Sequence, residues 1–243
     1  MDKLRILHCL VRVGSGGVEQ RRLTLARELD RHRYEQRLVC TEAFGGLPPL
    51  FAAAGCRIHE VGVFHHGILD REPYRRTLQV IREFKPHLIH GAVYEGVALA
   101  TVCGRLANVP IIIGEETIVP VNRNWRGHLL YRILTTMSHV MVAISPSVEI
   151  YLRDQIYVPS RKIKRIINGV AESVPPSSIV IQDLRRKLSI SENDIVVGSV
   201  GRLYDAHKRL GDLLHAVALV RVRCPKLKLL IVGDGPDRQF LEA

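Results

Sequence analysis

The sequence contains no apolar run of about 18 residues, the length a helix needs to cross a bilayer, and Met1-Asp2-Lys3 leads straight into a strand pattern. Neither a transmembrane helix nor a signal peptide is therefore expected. Cysteine is sparse and unpatterned: Cys9, Cys40, Cys56, Cys103 and Cys224 are odd in number and show no C-x-x-C spacing. That excludes a disulfide framework or a zinc ribbon and suits small buried residues in a reducing cytoplasm. Aromatic residues make up only 5% of the chain and no nucleic-acid motif is present, which excludes a base-stacking nucleic-acid binder. Acidic residues are also short: 24 Asp and Glu stand against 35 Lys and Arg, a formal net charge of +11. The excess recurs at Arg21/Arg22, Arg75/Arg76, Arg123/Arg126, Arg161/Lys162/Lys164/Arg165 and Arg185/Arg186/Lys187. It points to phosphorylated substrates or an anionic membrane face, with a peripheral membrane enzyme the better fit.

What is present is strand and helix in alternation, which means a parallel sheet covered on both faces. Strands are expected at Leu4 to Leu10, Arg37 to Thr41, Arg57 to Val63, His87 to His90, Ile111 to Ile113 and Val140 to Ile144. Helices are expected at Tyr74 to Phe84, Glu95 to Leu106, Gly127 to Met137 and Ser147 to Arg153, the last capped by Ser145. The helix after the first strand places Val18, Leu25, Ala26 and Leu29 inward and Arg21, Arg22 and Arg27 largely outside. Gly45-Gly46-Leu47-Pro48-Pro49 reads as a flexible loop. Residues 1–170 form one Rossmann-like domain, 171–181 a proline-bearing linker, and 182–243 the start of a second such domain.

In that second part, Ile195 to Val200 reads as a strand buried on both faces, and Leu210, Leu213, Leu214 and Val217 form one helical stripe. Arg202 at the strand end and Lys208 at the helix start can reach one diphosphate, or they are a turn residue and a solvated helix residue. Gly16 and Gly17 sit at another strand-to-helix turn, where backbone can approach a phosphate or simply turn tightly. A dinucleotide fingerprint from Gly14 fails. Its third glycine would be Glu19, and no acidic residue stands at the end of the second strand, Glu42 lying too far on.

Four segments, in order, resemble the GT-B glycosyltransferases of retaining family 4: GSGGVEQRRLTLARELD from Gly14, INGV from Ile167, GRLYDAHKR from Gly201, and LLIVGDGPDRQFLE from Leu229. The resemblance implies a GT-B α/β fold and a reaction that moves a sugar from a nucleoside-diphosphate-sugar to a hydroxyl of a sugar or lipid-linked acceptor. It also implies a setting in cell-surface polysaccharide or glycolipid synthesis at the cytoplasmic membrane face. By the same resemblance Arg202 and Lys208 hold the donor diphosphate, with Gly16 and Gly17 facing them across a cleft. Gly233, Gly235 and Pro236 lie near the nucleotide. No cofactor and no metal are implied, in line with the lack of any Asp-x-Asp triplet.

Candidate catalytic residues are His90, Glu95 and Glu116, all beside the expected carboxyl ends of strands. His90 lines the crevice or is a core histidine; Ala92 stands where many relatives carry the second His of H-x-H. Glu95 lines the crevice or complements a helix dipole. Glu115 and Glu116 point oppositely if extended, so one at most faces the cleft, and a solvated loop pair is the alternative. The E-x7-E pair that the family places late in its second domain is absent. The chain is accordingly read as truncated and expected not to catalyse transfer alone. Two alternatives remain: a non-catalytic binding product and a nucleotide-binding oxidoreductase.

Overall fold

The computed structural model describes residues 3–14, 16–120, 123–170 and 174–242. The chain forms two compact units, Met1–Ala171 and Glu172–Ala243.

In the first unit the strands β1 (Leu4–Cys9), β2 (Tyr34–Cys40), β3 (Arg57–Glu60), β4 (Leu88–Ala92), β5 (Ile111–Glu116), β6 (Val140–Ala143) and β7 (Ile163–Arg165) form one parallel sheet. Its order is β7-β6-β5-β4-β1-β2-β3, so the direction of winding reverses between β1 and β4. A crevice for a ligand opens at such a reversal, beyond the carboxyl ends of the strands. Helices α1 (Gly17–Glu28) and α2 (Leu47–Ala53) cover one face with Leu23, Ala26 and Phe51 on Leu38 and Cys40. Helices α3 (Arg71–Phe84) and α4 (Val93–Leu106) cover the other, packing Val80, Ile81, Phe84 and Leu99 on Leu7, Val39 and Ile89. Helices α5 (Trp125–Met137) and α6 (Pro146–Asp154) complete the unit around Met141 and Ala143. Ser145 caps α6 through Val148 N, Asp70 caps α3 and Asn124 caps α5. Four of the five cysteines are buried and all are free thiols.

Three expectations for this unit need correction. Arg22 is buried rather than outside α1, and Leu25 is exposed, because Arg22 has a carboxylate partner beneath it. The 45–49 loop contains the start of α2: Pro48 and Pro49 occupy its first positions, where proline's missing N–H has no helical partner to lose. Glu115 and Glu116 are not a solvated pair past a strand end; β5 runs through both, and both are buried.

The second unit pairs β8 (Ile195–Val200) with β9 (Leu227–Val232) in parallel, with α7 (Ser178–Lys187), α8 (Asp205–Lys208), α9 (Leu210–Arg221) and α10 (Arg238–Glu242) around them. Helix α7 begins inside the expected linker, before residue 182; the β-branched run Ile179-Val180-Ile181 hides that start from a propensity reading. Part of the expected linker, residues 171–173, lies outside the described residues. Strand β8 is not buried on both faces: Ile195, Val196 and Val200 are exposed, since two strands cannot cover each other's faces. Lys208 does not start the long helix. It ends the four-residue α8, and Arg209, in the left-handed conformation at φ 54°, separates it from α9.

Candidate functional site

At the carboxyl end of the first unit's sheet, β1, β4, β5 and α1 bring a polar cluster together beneath the surface. Arg22 Nη2 lies 2.8 Å from Glu115 Oε2 and 3.0 Å from His90 Nε2, so one guanidinium nitrogen serves two acceptors. His90 Nε2 is itself 3.2 Å from Glu115 Oε2. With the ring neutral, Nε2 accepts from Arg22; once protonated it would donate to Glu115 instead. His8 stands beside His90 in the register of β1 and β4, ring centroids 6.1 Å apart, with its Nε2 3.2 Å from Gln36 Oε1. Arg21 Nη1 lies 2.9 Å from Glu115 Oε1 and also donates to Asn168 Oδ1. The cluster thus runs from the second strand to Asn168, beyond β7.

Electrostatics separate these groups. Burial alone would raise the Glu115 carboxyl; the charges of Arg22 and Arg21 outweigh it and hold the group well below the usual carboxylate range. Burial, reinforced by the Arg22 charge, pushes His90 down to about 4 and His8 well below its ordinary value. At neutral pH this is an ionised carboxylate between arginines, with two neutral imidazoles beside it. His8 Nδ1 and Arg22 Nε are buried and make no hydrogen bond among the described residues. Such atoms are normally satisfied by ordered water or by a ligand.

Glu116 turns to the opposite face of β5. Arg123 Nη1 is 3.4 Å from its Oε2 and 2.6 Å from Tyr151 Oη, while the Arg123 guanidinium lies over the rings of Tyr131 (4.4 Å) and Tyr94 (4.9 Å). Here burial wins over the Arg123 charge and the carboxyl is raised. Two consecutive glutamates are therefore driven in opposite directions. That is the usual sign of acid and base roles in one site, but here the strand sends them to different faces.

The other expected residues of this unit lie nearby. Gly16 occupies the N-cap position of α1 in extended conformation, and a Cβ there would stand 2.3 Å from Glu19 Oε2; Gly17 has open space around it. Glu19 thus folds its carboxylate over the helix start, complementing the dipole. Glu95 is in the first turn of α4, behind Val93 at φ 65°, a strained conformation for a β-branched residue. Gly91 and Gly96 allow that helix to approach: a Cβ on Gly91 would meet Gly96 O at 2.1 Å.

In the second unit Arg202 and Lys208 do line one hollow, of about 40 Å³, together with Ser199, Gly201, Leu203 and Leu210. Lys208 Cε passes 3.7 Å from where a Gly201 Cβ would stand. Behind the hollow, the Gly233–Gly235 backbone presses against the Arg202 loop. Leu203 N donates to Asp234 O (3.0 Å), and Cβ atoms on Gly233 and Gly235 would fall 1.8 Å from Gly201 O and 2.2 Å from Leu203 O. Both glycines are therefore required by close packing, and Pro236 is exposed beyond them. The Gly211 amide at the start of α9 donates to Asp205 Oδ1 at 2.7 Å, so that helix N-terminus is already capped by a carboxylate.

Sequence reasoning missed Arg22, Arg21, His8, Gln36 and Arg123 as members of these clusters. One signal was available: Arg22 is four residues after Val18 and four before Ala26, on the very stripe expected to face inward.

No curated protein matches the sequence. Among solved structures, Anabaena HepE in complex with UDP and glucose superposes with a TM-score of 0.76 at 18% identity, covering 98% of this chain and 64% of that one. A glycosyltransferase from Rickettsia africae gives 0.70 at 14% identity, covering 96% and 69%. The lipopolysaccharide outer core galactosyltransferase WaaB, in its apo form, gives 0.60 at 14% identity, covering 98% and 63%. The chain thus spans about 64% of the HepE structure and shares the GT-B fold. Residues 180–243 match the family model of glycosyl transferases group 1. Residues 16–169 match that of the glycosyl transferase 4-like domain, and the chain belongs to this family.

Proposed function

We propose that this chain is part of a retaining, family 4 hexosyltransferase that moves a sugar from a nucleoside-diphosphate-sugar to a hydroxyl acceptor. The observation that carries the reading is the convergence of Arg202 and Lys208 on one hollow, with the loop that carries Arg202 backed by Gly233 and Gly235. Two cations converging on one hollow, Arg202 after the strand end and Lys208 at the end of α8, neutralise the charge that develops on a leaving diphosphate, and they do so without reorganising when placed in advance. HepE, with its bound UDP and glucose, supports a uridine nucleotide as the first donor to test. Gly17, with open space around it, is proposed to leave room for the donor at the start of α1; at Gly16 the Glu19 carboxylate would have to swing away first. His90 is proposed as a positioning residue that holds Arg22 and Glu115 in place, with Glu95 and Glu116 as further catalytic candidates. The acceptor is proposed to be a sugar or lipid-linked sugar of a cell-surface polysaccharide or glycolipid. The +11 charge supports work at the cytoplasmic face of an anionic membrane.

Isothermal titration with UDP tests the donor site. Arg202→Ala and Lys208→Ala each remove a charge-assisted contact of about 1.5–3 kcal/mol, so affinity is expected to fall about tenfold or more in each. Unchanged affinity in both variants would refute the assignment.

A further inference from the structure

Helix α5 presents an apolar line outward that none of the described residues of the first unit covers. Trp125, Leu129 and Ile133 recur every fourth residue and remain 71%, 52% and 50% exposed. The inner side of the same helix is fully used, with Tyr131, Leu134 and Thr135 buried. Tyr157, 63% exposed, extends the outer line sideways, because the Arg132 guanidinium lies 5.0 Å from its ring. Arg126 lies 5.3 Å from the Trp125 ring. Both cations therefore flank the apolar line, each against an aromatic residue. From Thr117 to Val148 the sequence has no Asp or Glu, so no carboxylate on α5 or its flanking segments offsets them.

We infer that this face of α5 docks the protein on an anionic bilayer. The inference deepens the membrane reading proposed above and rests on it. Exposed Trp and Tyr settle at the boundary between headgroups and acyl chains, where an apolar ring and a polar edge are both satisfied. Arginines flanking them reach lipid phosphates while their stems stay on the apolar side. At 13 residues, α5 is too short to span a bilayer and instead lies along the surface. Charge selects this occupant over a second copy of the chain: two such faces brought together would set Arg126 and Arg132 against their own likeness.

The chain's single tryptophan is Trp125, so its fluorescence reports on this face alone. The experiment adds vesicles of phosphatidylglycerol and phosphatidylcholine, or of phosphatidylcholine only, and records co-sedimentation and tryptophan emission in parallel. The expected result is binding to the anionic vesicles, with the emission maximum moving to shorter wavelength and quenching by lipids brominated on the acyl chain. Leu129→Ser with Ile133→Ser changes only exposed positions, and should weaken binding about tenfold or more while leaving the circular dichroism spectrum unchanged. Binding without an emission shift or quenching would overturn the α5 face and leave the membrane reading standing. Equal affinity for both vesicle types, or no binding, would overturn both. A lipid-free emission shift that grows with protein concentration, matched by dimer in sedimentation velocity, would assign the face to a second copy instead.

Discussion

Lowering the pH should destabilise the first unit through His90, against the smaller opposing proton uptake of Glu116, whose carboxyl burial raises. The ring is pushed from its ordinary 6.5 to about 4 by burial and by Arg22. As pH falls through 6.5 the unfolded chain takes up a proton that the folded chain refuses, so the stabilisation is complete above that value and is lost progressively down to about 4. A gap of that size corresponds to about 3 kcal/mol. His8, lowered by burial, adds in the same direction. Glu115 stays ionised throughout this window because its carboxyl is held below the ordinary range, so the Arg22–Glu115 pair itself is intact. Urea unfolding followed by Trp125 fluorescence reads this unit alone, at pH 7, 6, 5 and 4.5. His90→Gln remains neutral and can still accept from Arg22 through its amide oxygen. It should cost little at pH 7 and flatten the pH dependence between 6.5 and 4 by about 3 kcal/mol. The same pH slope in both proteins would show that His90 is not held neutral by this cluster.

Two further predictions concern other parts of the structure. Arg22→Ala leaves Glu115 buried with Arg21 as its nearest remaining cation, and should cost about 3–5 kcal/mol in urea unfolding while raising the His90 pKa seen by NMR; a cost below about 1 kcal/mol would contradict the buried pairing. Gly233→Ala places a Cβ 1.8 Å from Gly201 O at a backbone φ of 153°. It should push the Arg202 loop aside and abolish measurable UDP binding in titration, whereas wild-type affinity would disprove the close packing as a requirement of the site.

The alternation of strand and helix was legible through most of the first unit, α2 and the edge strand β7 excepted, because a sheet covered on both faces shows as short apolar runs, as in Ile111 to Ile113 and Val140 to Ile144. The Gly-Arg-Leu and Gly-Asp-Gly-Pro segments were legible through their resemblance to the family, and the structure adds that Cβ atoms on Gly233 and Gly235 would strike the carbonyl oxygens of Gly201 and Leu203. Arg22 was not legible as an interior residue. Its partner Glu115 lies 93 positions away, and a local pattern assigns a charge to solvent unless the partner is visible. The end of β5 was missed for a related reason: Gly114 and two carboxylates look like a turn, and only the cations that meet them make an extended, buried course affordable. The break between α8 and α9 could not be read either, since the left-handed Arg209 between them is a residue type with no preference for that conformation.

The two glutamates that end β5 also bear on how the chain finds its native alignment. The strand enters the sheet as Ile111-Ile112-Ile113, three identical side chains that would pack almost as well if the strand slid by one position. Such a slide turns every side chain to the other face. Glu116 would then leave Arg123, and Glu115 would leave Arg21, Arg22 and His90, burying carboxylates in places not built to receive them. Each misplaced charge costs several kcal/mol, far more than the degenerate isoleucines could return. The pair therefore acts as a two-sided key: an apolar strand that is indifferent to its own alignment is accepted by the sheet in one position only.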